Sequence, residues 1–467
     1  MAAQDTIVAV ATPPGRGGIG VVRLSGDHAV EIATALVRFP TLPLDARRAT
    51  LGEFRDQASG RILDQVVATC FLRPHSYTGE DVVEISCHGS PVILTHFVKC
   101  ALERGARAAE PGEFTMRAFL NGHIDLTQAE AIRDLIESRT FFQARVAARQ
   151  MEGAISARLK PHHKALLDLI ARLEAGIDFA EDDVPVEGWD TIITALDRIH
   201  ADLAKLVEGY EYGRIVREGL SLAIVGSPNV GKSSLFNRLL NEERALVTPL
   251  PGTTRDLIAE SANVGGIPLR FVDTAGVRET TDLVETLGIQ KTLAAVADSD
   301  LRLLVVDGSQ AWTEEDSKLL AKVQPLGPLL IACNKSDLAR RISLPETDLI
   351  RAVGAVGNRD GLADVVWTSA LTGEGLPELR EKILNLAAGS HGPEPEGEMI
   401  TNLRHQQLLK ACLEALDRAR GAAVKGLPHE LLLLDLYEAL HSLDEITGAT
   451  TVEDVLGVIF STFCVGK

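Results

Sequence analysis

Two reactive side chains, the amine of Lys232 and the hydroxyl of Ser233, close the octet Gly226-Ser227-Pro228-Asn229-Val230-Gly231-Lys232-Ser233. An apolar run, Leu220 to Val225, precedes the octet, and a helical pattern opening Ser234-Leu235-Phe236 follows it. GxxxxGKS between strand and helix is the arrangement that cradles a polyphosphate. Successive backbone N–H groups of Asn229, Val230, Gly231, Lys232, Ser233 and Ser234 wrap the β-phosphate, and the helix start adds its positive dipole end. Lys232 then neutralises the β and γ oxygens, and the Ser233 hydroxyl ligates Mg²⁺. The implied ligand is a nucleoside triphosphate.

Base choice falls to other segments. After the apolar strand Leu329 to Cys333 come Asn334-Lys335-Ser336-Asp337, an NKxD sequence. The Asp337 carboxylate accepts from both N1–H and the exocyclic amine of guanine, whereas adenine leaves that charge unpaired at high cost. Ser369-Ala370, with Leu371 behind them, follow Val365-Val366-Trp367 and offer a backbone N–H to guanine O6. Asp273-Thr274-Ala275-Gly276 follow the strand Leu269 to Val272 and read as DxxG: the aspartate holds magnesium, often through water, and the glycine N–H meets the γ-phosphate. Gly252-Thr253-Thr254-Arg255 supply a switch threonine, of which Thr254 is the better magnesium ligand. Motifs in this order, each closing its own strand, point to GTP.

The water-activating group is unusual. Where Ras-like enzymes carry glutamine after DTAG, this chain has Val277, which cannot polarise water. The carboxylates of Arg278-Glu279-Thr280-Thr281-Asp282-Leu283-Val284-Glu285 either activate water or merely cap and solvate a helix start, and Glu285 is the first choice for the former. Arg255 and Arg278 lie in the switch segments, but neither is an evident arginine finger. A monovalent cation can supply positive charge instead, and the Asn229 side-chain carbonyl is placed to hold one.

The flanking segments carry a narrower resemblance. Asp5-Thr6-Ile7-Val8-Ala9, TPPGRGGIGVVRLSG (Thr12 to Gly26), RPHSYTGEDVVEISCHGS (Arg73 to Ser90), PGEFTMRAFLNGHIDLTQAEA (Pro111 to Ala131) and the terminal IFSTFCVGK (Ile459 to Lys467) accompany the nucleotide motifs. Over essentially its whole length the chain resembles the MnmE (TrmE) tRNA modification GTPase family, whose G domain is of the TrmE-Era-EngA kind. The resemblance implies a potassium-dependent GTPase that forms a homodimer. With the FAD- and NADH-using flavoprotein MnmG, in a heterotetramer, it adds a carboxymethylaminomethyl or aminomethyl group at carbon 5 of the wobble uridine of certain tRNAs. The one-carbon donor it implies is a reduced folate, 5,10-methylenetetrahydrofolate, with 5-formyltetrahydrofolate as an analogue. It makes Asn229 a potassium ligand, together with Thr248, Leu250 and Thr253 of a loop (Thr248-Pro249-Leu250-Pro251-Gly252-Thr253) lying over the nucleotide. It makes Glu285 the catalytic glutamate, and it maps folate contacts to Arg23, Glu80, His123 and Lys467. The family's usual FLNGK has lysine where this chain has His123, whose neutral imidazole brings less charge to an anionic ligand. Leu371 likewise replaces a frequent lysine.

The elements that must position these groups follow from texture. At 467 residues the chain exceeds one core. Residues 1–120 read as a β-rich α+β domain, with strand-like runs at Ile7–Ala11, Gly20–Leu24, Gln65–Leu72 and Asp81–Cys87. The family resemblance makes this the tetrahydrofolate-binding and dimerisation domain. Residues 121–217 are helical, interrupted near the acidic stretch 179–185. Residues 218–386 form the Ras-like G domain, a mostly parallel sheet with helices on both faces. A linker opens residues 387–467, where helical periodicity resumes from Asn402. Helices on both sides of the G domain, together with the family resemblance rather than periodicity alone, suggest a discontinuous helical domain with the G domain inserted, so switch motions have two connections through which to act.

Composition sets the remaining bounds. Six cysteines without a CxxC pair or metal-ligand cluster fit reduced thiols in the cytoplasm, and neither a signal segment nor a membrane-spanning run is evident. A formal charge of −18 opposes broad phosphate neutralisation, so tRNA contact falls to a basic partner or a local patch. Arg104, Arg107, Arg117, Arg145, Arg149 and Arg158 are candidates for such a patch, each equally readable as solvated surface charge. Cys464, four residues from the end, lacks the sequence context of a prenylation box. A tail cysteine is often inert; the family resemblance instead brings it near the modification chemistry. Two other readings share the G motifs: a ribosome-assembly or signalling switch, which needs neither folate nor Cys464, and a membrane-acting GTPase, which needs an amphipathic or basic membrane element that the sequence lacks.

Overall fold

The structure, a computed structural model, describes residues 5–56, 58–178, 188–242, 261–272, 296–343, 364–388, 399–450 and 453–466. Its N-terminal part is a sheet of β1 (Ile7–Val10), β2 (Gly17–Ser25), β3 (Val37–Arg38), β4 (Thr50–Arg55), β5 (Ile62–Phe71), β6 (Val82–Gly89) and β7 (Arg107–Ala108), in the order β3-β4-β5-β6-β2-β1-β7. All pairs are antiparallel except β1 with β7. Alternate side chains point one way: Val22 and Leu24 of β2, Val66 and Ala68 of β5, and Val83 and Ile85 of β6 bury together with Phe54. Helices α1 (Ala29–Leu36) and α2 (Pro91–Leu102) cover that face with Ile32, Leu36, Leu94 and Phe97. The sequence runs foresaw β1, β2, β5 and β6; β4 is anchored by the single large residue Phe54 and gave no comparable signal.

Helices follow: α3 (Glu113–Leu120), α4 (Leu126–Glu137), α5 (Phe141–Met151), α6 (Ala154–Asp178), α7 (Trp189–Glu208) and α8 (Tyr210–Glu218). Reciprocal capping boxes, Asp125 with Gln128 and Thr140 with Gln143, start α4 and α5. The acidic stretch 179–185 lies outside the described residues.

The G-domain sheet comprises β8 (Leu220–Val225), β9 (Ser261–Val264), β10 (Ile267–Phe271), β11 (Leu301–Asp307), β12 (Leu329–Asn334) and β13 (Asp364–Trp367), ordered β13-β12-β11-β8-β10-β9. Its pairings are parallel except β9 with β10. Both faces are buried. Leu222, Ile224, Leu303 and Val305 belong to one core with α9 (Lys232–Glu242) and α11 (Leu376–Ala388), while Ala223, Val225, Leu304 and Val306 join another with α10 (Glu314–Val323). The chain reverses direction across the sheet between β8 and β11, which opens a crevice at the strands' carboxyl ends.

The chain returns as α12 (Leu403–Val424), α13 (His429–Thr447) and α14 (Glu453–Ser461). Leu409 and Leu416 of α12 and Leu432, Leu436 and Leu443 of α13 share one core with Leu166 and Leu173 of α6 and Leu196 and Leu203 of α7. Helices from before and after the G domain thus form one bundle, a discontinuous helical domain with the G domain inserted. No helix among the described residues is long and apolar enough to cross a membrane.

Candidate functional site

The phosphate loop leaves β8 at Gly226, where φ is 156° and an added Cβ would lie 2.3 Å from the Val305 carbonyl of β11. Asn229 takes a left-handed φ of 62° and Gly231 one of 96°, bending the loop back to the start of α9. A Cβ at Gly231 would meet Asn334 Nδ2 at 2.2 Å, so the loop backbone rests directly on the NKxD segment. Lys232 Nζ donates to the Gly226 and Ser227 carbonyls, each at 2.8 Å, which places its ammonium over the loop. Burial pulls the Lys232 pKa down from the usual lysine value. Ser233 and Ser234 stand exposed on the first turn of α9. Glycine-built backbone, a lysine and a free-facing hydroxyl fit a triphosphate with its magnesium. Among the described residues no cluster of three His, Cys, Asp or Glu side chains offers a metal site of another kind.

The base side is built on a staple. Asn334 donates from Nδ2 to the Val230 carbonyl at 2.9 Å and accepts at Oδ1 from the Ala370 N–H at 3.0 Å. One buried amide therefore joins the phosphate loop to the Ser369-Ala370 loop. The Ala370 N–H, read from the sequence as support for guanine O6, is committed to this staple, so a guanine must share or displace the bond. Ser369 Oγ donates to Asp337 Oδ1 at 2.6 Å and orients the carboxylate read from the sequence as the guanine acceptor. Lys335, with φ of 65°, forms an ion pair with Asp307 at 2.5 Å. Burial opposes charge on Asp307, yet hydrogen bonds from Lys335 and Ser309 outweigh it and hold the carboxyl below its usual range. Leu371 projects into solvent, so no charged side chain stands where the family has lysine.

Asp316 was not foreseen. Its Oδ1 accepts from Ser227 Oγ at 2.9 Å while Oδ2 accepts from the Thr313 N–H and hydroxyl, so one carboxylate caps α10 and holds the phosphate loop. Only the capping pattern Thr313-x-x-Asp316 could have been read from the sequence. Thr248, Pro249, Leu250, Pro251, Gly252, Thr253, Thr254, Asp273, Thr274, Ala275, Gly276, Glu285 and Lys467 lie outside the described residues, as do Arg255 and Arg278.

A second constellation forms around Tyr77 to Glu80. Arg23 on β2 pairs with Glu84 through Nε at 2.9 Å and Nη2 at 2.8 Å, and its guanidinium lies 5.5 Å from the centres of both the Tyr77 and Phe114 rings. Glu80 accepts from Ser25 Oγ at 2.7 Å and pairs with Arg117 at 3.1 Å. His123 is exposed, and a Cβ on Gly79 (φ 78°) would lie 3.0 Å from its ring. Arg23, Glu80 and His123 are thus gathered by one segment although they are far apart in sequence.

The C-terminal tail reaches the same place. Phe460 and Phe463 bury against Leu126 and Ala129, Val465 bridges to Pro111, and Gly466 passes its carbonyl to Arg23 Nη1 at 3.3 Å. Gly466 has φ of 92° and leaves no room for a side chain, since a Cβ would meet the Val10 carbonyl at 2.4 Å. Cys464 is exposed, whereas Cys70, Cys87, Cys100, Cys333 and Cys412 are buried. Burial pushes the Cys87, Cys333 and Cys412 thiols up to about 12, which leaves them unreactive.

The arginine candidates for tRNA need correction. Arg117 is 2% exposed and binds Asp5, Glu80 and Glu113, so it cannot present charge to a nucleic acid. Arg107 pairs with Asp5 and Glu113 in the same network. Its neighbours' carboxylates neutralise both. Arg145, Arg149 and Arg158 are exposed on α5 and α6, with Arg145 stacked over Phe142, and Arg104 is partly exposed.

Two family models match the chain: the GTP-binding protein TrmE N-terminus over residues 6–123 and the MnmE helical domain over residues 126–464. A tRNA modification GTPase MnmE of Koribacter versatilis (strain Ellin345) is 53% identical over 467 residues, covering 99% of each chain. The protein of that name from Aquifex aeolicus (strain VF5) is 43% identical, covering 99% of this chain and 100% of its own. That of Geotalea uraniireducens (strain Rf4) is 40% identical over the whole of both. The nucleotide crevice, the inserted G domain and this full-length similarity agree: the chain belongs to the MnmE (TrmE) family of tRNA modification GTPases.

Proposed function

We propose that this chain hydrolyses GTP to drive modification of the wobble uridine of tRNA, with a reduced folate as one-carbon donor. The observation that carries the reading is the meeting of Arg23, Glu80 and His123 with the tail, where Arg23 Nη1 reaches the Gly466 carbonyl and Cys464 stands exposed nearby. A guanidinium over two aromatic rings, beside a carboxylate and an imidazole, suits a flat, hydrogen-bonding, anionic ligand such as a folate. A nucleotide switch acting alone has no use for that cluster.

Within this reading Ser233 and Thr254 hold magnesium, Asp337 selects guanine, and Glu285 activates water in place of a glutamine. Potassium sits at Asn229 with Thr248, Leu250 and Thr253 and supplies the charge of an arginine finger. G domains pair across a homodimer in the GTP state, and the flavoprotein MnmG completes the tRNA-modifying complex in the cytoplasm. The domain limits 1–120, 121–217, 218–386 and 387–467 serve this division of labour.

Calorimetric titration of the full chain with 5-formyltetrahydrofolate tests the pocket. Saturable binding is expected, and Arg23→Ala should weaken it about tenfold or more, as loss of a charged hydrogen-bond donor requires. Absence of binding at high micromolar ligand would return the chain to the switch class.

A further inference from the structure

Among the described residues, helix α4 bonds to the chain entering the G domain, to the start of α12 after it, and to the tail. The outgoing connection runs from α8 through Gly219 into β8, the strand that feeds the phosphate loop. There Arg217 Nη2 donates to Asp134 Oδ1 of α4 at 2.8 Å. Gln143 of α5 donates to the Val216 and Arg217 carbonyls, each at 2.9 Å, and fixes the backbone at that point. Gly219 itself has φ of 88°, and a Cβ there would lie 2.8 Å from the Pro268 carbonyl of β10, so the joint seats directly on the G-domain sheet.

The returning connection reaches the same helix. Gln150 of the neighbouring α5 donates to the Met399 carbonyl at 3.0 Å. Glu130 of α4 then accepts from Arg404 Nε at 3.0 Å and Nη2 at 2.9 Å, and pairs with His405 Nε2 at 2.7 Å. Arg404 also donates to the Glu445 and Ile446 carbonyls at the end of α13. The tail is the third contact: Arg133 Nη1 donates to Thr462 Oγ1 at 2.6 Å, two residues before Cys464, and the guanidinium carbon lies 6.0 Å from the Phe463 ring centre. Glu130, Arg133 and Asp134 share one helix face through their i, i+3 and i+4 spacing.

Asp134 is the shared member. Its Oδ1 is bonded to Arg217 at 2.8 Å and lies 3.6 Å from Arg133 Nη2, beyond a hydrogen bond but within an ion pair. Two guanidiniums compete for one shielded carboxylate: Arg133, Asp134 and Arg217 side chains are 22%, 12% and 16% exposed. Without Arg217, Arg133 is the guanidinium left beside this carboxylate, and the same Arg133 holds Thr462. The geometry offers Asp134 two guanidinium partners, and coupling between distant sites requires an element with two such arrangements.

We propose that Asp134 is a positioning residue that couples the nucleotide state of the G domain to the tail bearing Cys464, by exchanging its ion pair between Arg217 and Arg133. The inference rests on the reading that the tail serves the modification site. Glu130 is the static counterpart, fastening the return connection to the same helix.

The test uses the full-length chain and the rate of Cys464 alkylation by iodoacetamide, located by mass spectrometry, with GDP alone and with GDP, aluminium fluoride and potassium. In the wild type the two states should differ about fivefold or more. Asp134→Asn and Arg217→Met should erase the difference while the GTP hydrolysis rate stays within about twofold, since neither side chain touches the nucleotide site. Arg217→Lys, which keeps the charge, should retain part of it. Thr462→Val leaves the ion pairs intact, cuts the link at the tail end and should also erase the difference. A difference that persists in Asp134→Asn or Thr462→Val overturns the proposal, as does a wild type whose two states alkylate equally. Folate binding is read separately in the titration above, so loss of the coupling and loss of the functional reading give different results.

Discussion

Asn334→Ala tests whether the staple, rather than the glycine motif alone, organises the nucleotide site. The amide makes one bond to the Val230 carbonyl and one to the Ala370 N–H, and Asn334 and Val230 are only 2% and 5% exposed. Truncation leaves a buried acceptor and a partly buried donor without partners, each costing up to about 1–3 kcal/mol. Water entering from the open crevice recovers part of this, leaving a net cost of about 2–4 kcal/mol. Both affected groups lie on loops whose order the nucleotide requires, so the cost appears in binding rather than in the sheet beneath. GDP affinity should fall about 30- to 700-fold at 1.4 kcal/mol per decade. Titration with a fluorescent GDP, beside a thermal melt of the same sample, separates the two effects. Affinity within about threefold of the wild type at an unchanged melting temperature would show that the staple is dispensable.

Two further outcomes follow from the packing. Burial opposes charge on Glu130, but His405 and Arg404 outweigh it and hold the carboxyl at about 2 against an ordinary 4.5. A depressed folded value means stabilisation that is complete above pH 4.5 and lost as pH falls toward 2, worth about 3 kcal/mol at most. Urea unfolding of wild type and Glu130→Gln across that window should give a shallower pH slope for the variant, and parallel slopes would dismiss the assignment. Gly375 has φ of 75°, and a Cβ there would sit 1.7 Å from the Trp367 carbonyl, a backbone atom that cannot step aside. Gly375→Ala should cost about 3 kcal/mol or more, seen as a lowered melting temperature of the G domain, and a change under about 1 kcal/mol would contradict the packing at the end of β13.

Local chemistry was legible from residue order because local backbone geometry is set by neighbours. GxxxxGKS lies within one turn and one helix start, so Gly226, Asn229, Gly231 and Lys232 could be assigned roles without knowing what surrounds them. The strands before the phosphate loop, NKxD and Ser369-Ala370 announced themselves as apolar runs, because parallel strands buried on both faces carry no alternation to confuse them. Helical periodicity on both sides of the G domain, taken with the family resemblance, foretold a divided bundle.

Partners far apart in sequence were decided only when burial closed the chain. Asn334 meets Val230 across 104 residues, and nothing in either segment names the other. Arg117 read as a surface cation until three carboxylates enclosed it, since charge alone does not reveal burial. Asp316 showed a helix cap but not its hold on Ser227. The Arg217–Asp134–Arg133 series draws on two helices and ends at the tail, so its members share a purpose only in three dimensions. Spacing along the backbone fixes what a few adjacent residues can bind; which distant groups they serve depends on the cores that bring them together.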